Sequence, residues 1–168
     1  MITDTIHAHL SDIQSTKIKS LISKATTIEP TDTLSHVISK ITKNNSYDVF
    51  YLKDKKVLST NIRALLNAKN ITSMKIESFL YPIPHVTQND SVQKVANIIT
   101  HYRIREVPVV DKNQIIGVVT AKQIIKLLLS KDNKWIKANL VYTQNPITIL
   151  ADESLSNARR IMTTKRID

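Results

Sequence analysis

The sequence predicts an α+β fold in which two tandem β-α-β-β-α units pack together around small mixed sheets. Three observations support this prediction. The chain repeats itself at a constant spacing, each copy has apolar residues at helical spacing, and each copy has two short apolar runs joined by a polar turn. One unit of about 55–60 residues can bury little surface alone, so we expect the two units to share a core.

The start of each unit shows the repeat most clearly. Residues 17–22 (KIKSLI) recur as residues 75–80 (KIESFL). Apolar residues three or four positions apart then form one face of a predicted helix: Leu34, Val37, Ile38 and Ile41 in the first unit, and Val92, Val95, Ala96 and Ile99 in the second. Asp32 and Asp90 precede these faces, and we expect each to cap its helix.

A predicted hairpin and a second helix follow in each unit. Residues 49–52 and 107–110 are short apolar runs of the kind that forms buried strands. Each run precedes a polar turn and another apolar run. The second helices are predicted near 62–67 and 122–129.

The repeat divides the chain into five parts. We predict an amphipathic N-terminal helix (1–14), a first unit (15–74), a second unit (75–130), a linker (131–138) and the front half of a third unit (139–168). In the third unit we expect a strand at 146–149 and a helix capped by Asp152. The two strands expected after this helix are missing from the sequence, which we interpret as an excerpt of a longer protein or a natural truncation.

Composition excludes several classes of site. The chain has no cysteine, which excludes disulfides and thiolate metal sites, and Gly117 is its single glycine, which excludes glycine-rich phosphate loops and the Rossmann fingerprint. No apolar stretch is long enough to span a bilayer, so we expect no membrane partner. The N-terminus lacks the basic and apolar regions of a signal peptide, and we therefore expect a cytoplasmic protein.

The charge balance favours anionic partners. Lys and Arg number 24 against 14 Asp and Glu, which gives a formal net charge of +10. The excess is spread over both repeats instead of being gathered in a tail. It favours attraction to nucleotides, nucleic acid or an acidic protein without selecting among them.

Two segments of the second unit carry a family resemblance. Residues 104–111 (IREVPVVD) and 115–120 (IIGVVT) resemble the signature of the cystathionine β-synthase (CBS) domain. The resemblance extends over 15–130 as a tandem CBS pair and over 139–168 as part of a third domain. It implies a regulatory module for signal transduction that forms a homodimer and binds AMP, ATP or S-adenosylmethionine between its units, with no other cofactor.

The resemblance also implies the residues of the ligand site. They belong to the second unit and are Pro84, His85, Val86, Arg105, Val107, Pro108, Val109, Thr120, Lys122 and Gln123. Gly117 would let the ligand approach the backbone closely.

One departure from the family pattern predicts a single occupied site. The family holds the ribose with an Asp three residues after a Thr or Ser. Gln123 stands there in the second unit, and the first unit offers Ile62 or Arg63, depending on whether Ser59 or Thr60 begins the motif. Phe50 and Tyr51 are bulky and would also narrow the first cleft: we therefore expect binding in the second unit alone.

Other functions remain open at the level of sequence. We find no set of nucleophile, base and orienting group and no histidine spacing suited to a metal. We therefore expect neither catalysis nor a metal site. The alternative function is a nucleic-acid-associated basic protein in which the CBS pair is a dimerising scaffold. A purely structural dimerisation unit is a third reading.

Overall fold

The computed structural model of the chain describes residues 11–66, 74–130 and 145–165. The predicted linker and most of the predicted N-terminal helix lie outside these residues. The helices and strands, in chain order, are α1 Leu34–Asn44, β1 Asp48–Lys53, β2 Lys56–Asn61, α2 Ile62–Leu66, β3 Tyr81–Ile83, α3 Val92–Tyr102, β4 Glu106–Asp111, β5 Gln114–Thr120, α4 Ala121–Ser130 and α5 Leu155–Lys165. This order confirms the predicted α+β fold.

Each unit is built around a small mixed sheet. The first sheet has the strand order β1-β2-β3, with all neighbours antiparallel, and its strand β3 comes from the start of the second unit; β4 pairs antiparallel with β5 in the second sheet. Single parallel bridges add Thr27 beside Phe50 and Val86 beside Val109. The antiparallel bridge between Ser23 and Val118 completes the outer edge of β5.

The segment that leads into each unit packs against the other unit. The Ile18 N–H donates to the Asp90 carbonyl at 3.1 Å, and the Val92 N–H donates to the Thr16 carbonyl at 2.9 Å. The equivalent bonds of the second copy join the Ile76 N–H to the Asp32 carbonyl and the Leu34 N–H to the Met74 carbonyl. Because the exchange is reciprocal, neither unit is complete without the other.

Buried apolar residues form two clusters, of which the larger spans both units. It joins strand residues of the second unit to Ile18, Phe50 and Val57 from the first. Ile13 is 4% exposed and belongs to this cluster, so the described part of the N-terminal segment packs on its own chain. The expected sharing of a core between units is therefore observed.

The predicted helix caps are off by one residue. Thr33 and Ser91 cap α1 and α3, because their hydroxyls accept hydrogen bonds from the N–H three residues later. Asp32 and Asp90 instead accept from a backbone N–H three residues earlier and pair with a lysine in the following helix. Their carboxylates thus fix the turn before the helix rather than its first N–H groups.

A β-bulge in β5 changes the register of the repeat. Val109 pairs with Gly117 but Val110 pairs with Ile115, so Ile116 is an extra residue without a counterpart in the first hairpin. The spacing between equivalent residues is therefore longer by one after the bulge than before it. As a result Thr120, the last residue of β5, corresponds to Asn61.

The described residues of the third copy contain α5 and no strand. Residues 146–149 are irregular, which differs from the predicted strand. The cap of α5 is Ser154 rather than Asp152, since its hydroxyl accepts from the Asn157 N–H at 3.1 Å. Helix α5 contacts α2 of the first unit.

Candidate functional site

A cleft of about 570 Å³ opens where the two units meet. Its walls come from the residues before β1, the start of β4 and the first turns of α4: Asn45, Tyr47, Arg105, Glu106, Thr120, Ala121, Lys122, Ile125 and Lys126. The cleft thus combines an aromatic ring, apolar surface, basic side chains and one carboxyl group.

A capping box fixes the start of α4 at the cleft wall. The Thr120 hydroxyl accepts from the Gln123 N–H at 3.1 Å, and the Gln123 side-chain oxygen accepts from the Thr120 N–H at 2.7 Å. The N-terminal end of a helix carries partial positive charge and favours anions. Gln123, which we expected at the ribose, therefore has its oxygen committed to the helix start.

In the first unit, the residue that caps the corresponding helix α2 is not the one predicted from the sequence. The cap of α2 is Asn61, whose side-chain oxygen accepts from the Ala64 N–H at 3.0 Å. Because of the bulge at Ile116, neither Ser59 nor Thr60 corresponds to Thr120, and both are buried. The residue three positions after the cap is Ala64, whose methyl group cannot hydrogen-bond a ribose.

Three basic residues surround the cleft in the second unit: Arg105, Lys122 and Lys126. The Arg105 guanidinium lies 4.5 Å from the centre of the Tyr47 ring, which is a cation–π contact between the two units. Tyr47 is 47% exposed and borders the opening. The arrangement attracts an anion and offers it several hydrogen-bond donors.

Glu106, the carboxyl group that lines the cleft, has a second buried acid, Asp48, beside it. Asp48 and Glu106 are the first residues of β1 and β4, and they are 2% and 7% exposed. The Arg105 N–H donates to the Asp48 carboxylate at 3.3 Å, and the N–H groups of Tyr47 and Asp48 donate to the Glu106 carboxylate. Backbone N–H groups of each unit therefore donate hydrogen bonds to the acidic side chain of the other unit.

Burial shifts the protonation of Glu106. Burial raises the pKa of Glu106 to about 7, the charge of Asp48 acts in the same direction, and the backbone hydrogen bonds from Tyr47 and Asp48 oppose them. Sequence reasoning missed the pair, although its members occupy the same position in the two copies and open the equivalent strands. A comparison of the two copies that treats Asp and Glu as equivalent acids would have found the pair.

Only some of the ten predicted site residues lie at the cleft. Arg105, Thr120 and Lys122 line the cleft, whereas Gln123 takes part in the cap of α4 and is not among the lining residues. Four others are buried, namely Val86, Val107, Pro108 and Val109, and the three valines belong to the larger core cluster. His85 is exposed and Pro84 is half-buried, and neither is among the residues that line the cleft.

Two further expectations need correction: that Gly117 leaves space for the ligand, and that Phe50 narrows the first cleft. A Cβ on Gly117 would collide with the Ile22 side chain and the Ser23 carbonyl, so its missing side chain admits the chain's own segment rather than a ligand. Phe50 is fully buried in the core and does not narrow a cleft. Both residues therefore act in packing.

Comparison with known proteins places the fold. Residues 76–130 match the family model described as CBS domain. A CBS domain-containing protein from Thermotoga maritima is 17% identical with a TM-score of 0.62, and the match covers 71% of this chain and 98% of that chain. A CBS domain from a membrane protein of Sphaerobacter thermophilus is 14% identical with a TM-score of 0.61, covering 76% and 98%.

A third solved structure was determined with ligands. The CBS domain pair of protein MJ0100, in complex with 5′-methylthioadenosine and S-adenosyl-L-methionine, is 23% identical with a TM-score of 0.61 and covers 69% of this chain and 98% of that chain. No curated protein sequence gives a significant match. Within the described residues, no helix is long and apolar enough to cross a membrane. The chain therefore contains a CBS domain at residues 76–130, and its described part has the fold of a CBS domain pair.

Proposed function

We propose that the chain is a non-catalytic regulatory module that binds an adenosine-containing ligand of the AMP, ATP or S-adenosylmethionine class. The ligand lies in the cleft between Tyr47, Arg105 and the first turns of α4. The observation that carries the proposal is the meeting of an aromatic ring, a helix N-terminus and basic side chains in one cleft.

The dimensions and chemistry of the cleft suit such a ligand. A volume of about 570 Å³ lies within the range of small-molecule sites. Ile125 and Ala121 offer apolar surface for a purine, while Lys122, Lys126 and the start of α4 face the charged part of the ligand. The complex of the MJ0100 pair with 5′-methylthioadenosine and S-adenosyl-L-methionine supports this ligand class.

We propose one site per chain, in the second unit. The first unit has Ala64 where Gln123 stands in the second, and α5 contacts the adjacent helix α2. The proposal also includes a homodimer in the cytoplasm whose partner protein responds to the bound ligand. Sedimentation tests the dimer, and cell fractionation tests the location.

Changing Lys122 to Glu is expected to weaken AMP binding. The substitution replaces a cation at the N-terminus of α4 with an anion, and we expect roughly a tenfold rise in Kd. Lys112→Glu is the matched control, because Lys112 lies exposed in the turn between β4 and β5 and does not line the cleft. Calorimetry measures both Kd values, and equal values for the two variants would contradict the proposed site.

The alternative, a nucleic-acid-associated scaffold, rests on the net charge of +10 and on the exposed basic residues Arg159, Arg160 and Lys165 of α5. Binding to DNA or RNA that weakens steeply with salt, together with no heat from any adenosine ligand, would favour it. If nucleic acid does not bind even at low salt, the alternative is excluded.

A further inference from the structure

Glu106 is the acidic residue among those that line the cleft. Its carboxylate accepts hydrogen bonds from backbone N–H groups of the first unit, those of Tyr47 and Asp48. The helix N-terminus and the basic side chains attract an anion into the cleft. An ionised Glu106 carboxylate would repel the same anion.

The charges around Glu106 come from three elements. Asp48 faces it from β1, Arg105 precedes it in the chain, and Lys122 and Lys126 face the cleft from α4. Asp48 and Glu106 are both nearly buried, so water screens their repulsion poorly. A proton added to the pair removes that repulsion and converts Glu106 into a hydrogen-bond donor.

We propose that Glu106 selects ligands by charge, so that an anionic adenosine ligand binds together with one proton taken from solvent onto the Asp48–Glu106 pair. The inference rests on the proposed function and deepens it. An uncharged adenosine ligand brings no negative charge to the cleft and binds without this proton. Burial, which raises the pKa of Glu106 to about 7, places the effect in the neutral pH range.

Titration with two ligands of different charge tests the inference. Calorimetry of the full chain with AMP and with 5′-methylthioadenosine is carried out at about pH 7.0 and 8.5, where the AMP phosphate is a dianion because its second pKa is near 6. We expect the Kd for AMP to rise roughly fivefold between these pH values. The Kd for 5′-methylthioadenosine should stay constant.

Two variants test whether the pH dependence of AMP binding comes from the Asp48–Glu106 pair. Glu106→Gln keeps an acceptor for the N–H groups of Tyr47 and Asp48 and should make the Kd for AMP independent of pH. Should this variant fail to fold, Asp48→Asn is the second test: loss of the neighbouring charge lets Glu106 ionise at lower pH, so the pH dependence of the Kd for AMP should move downward, and an unchanged dependence would overturn the inference. Glu77→Gln, an exposed acid outside the cleft, should behave like the wild type.

The outcomes separate this inference from the proposed function. Binding of both ligands with no pH effect specific to AMP would overturn the inference alone. The same holds if Glu106→Gln keeps the pH effect of the wild type. If neither ligand binds the wild type at either pH, the proposed function fails and the inference fails with it.

Discussion

Replacing Gly117 with alanine is expected to lower the free energy of unfolding by about 3 kcal/mol, near the upper end for overpacked sites. The new Cβ would overlap the Ser23 carbonyl oxygen, which is backbone and cannot rotate away. Relief requires the segment around Ser23 to move off β5, where its N–H and carbonyl bond Val118 at 2.9 and 2.8 Å. Chemical denaturation of the wild type and the variant measures the loss.

A second substitution tests the cause of this loss. Ile22→Ala removes the other atom that the new Cβ would meet, so the double variant with Gly117→Ala should recover only part of the stability. Ile116→Ala is the control, since Ile116 is the exposed bulge residue next to Gly117. A Gly117→Ala protein as stable as the wild type would refute the packing of the leading segment against β5.

Raising the pH from 5 to 8 is expected to destabilise the wild type by about 2 kcal/mol through Glu106. The pKa of this acid rises from 4.5 to about 7 on folding, so the folded state binds more protons than the unfolded state between these values. Stability from this group is therefore greatest below pH 4.5, falls through the interval and stays constant above pH 7.

Glu106→Gln removes this dependence and should be more stable than the wild type at pH 8, also by about 2 kcal/mol. Denaturation midpoints at a series of pH values measure both curves. Glu77→Gln is the control and should follow the wild type. Parallel curves for the wild type and Glu106→Gln would show that Glu106 ionises freely in the folded protein.

Repetition made much of the fold predictable. Helix faces recur in both units because the same residues must cover the same sheet, so the apolar pattern at 34–41 predicts the one at 92–99. The polar turns at 53–56 and 111–114 place both hairpins correctly, since each turn has two central residues at positive φ. Local pattern and tertiary packing agree at these positions.

The site was less predictable because its geometry depends on details that a constant repeat distance hides. The extra residue Ile116 shifts the register by one, so that Asn61 rather than Ser59 or Thr60 is the counterpart of Thr120 in the first unit. Because side chains along a strand point alternately to opposite faces of the sheet, Val107 and Val109 are predicted to share a face. The strand pattern alone does not say that this face points into the core rather than into a cleft. Asp48 and Glu106 gain their chemistry only when the two units bring them together.

The most direct test of the proposed site fills the cleft with a side chain. Ile125 and Leu129 are exposed residues one turn apart on α4, and of the two Ile125 lines the cleft. We propose calorimetric titration of the wild type, Ile125→Trp and Leu129→Trp with AMP, ATP, S-adenosylmethionine and 5′-methylthioadenosine. The account predicts one adenosine ligand per chain for the wild type and Leu129→Trp, and at least roughly tenfold weaker binding for Ile125→Trp. Two equal sites, no binding at millimolar ligand, or unchanged affinity in Ile125→Trp would contradict it.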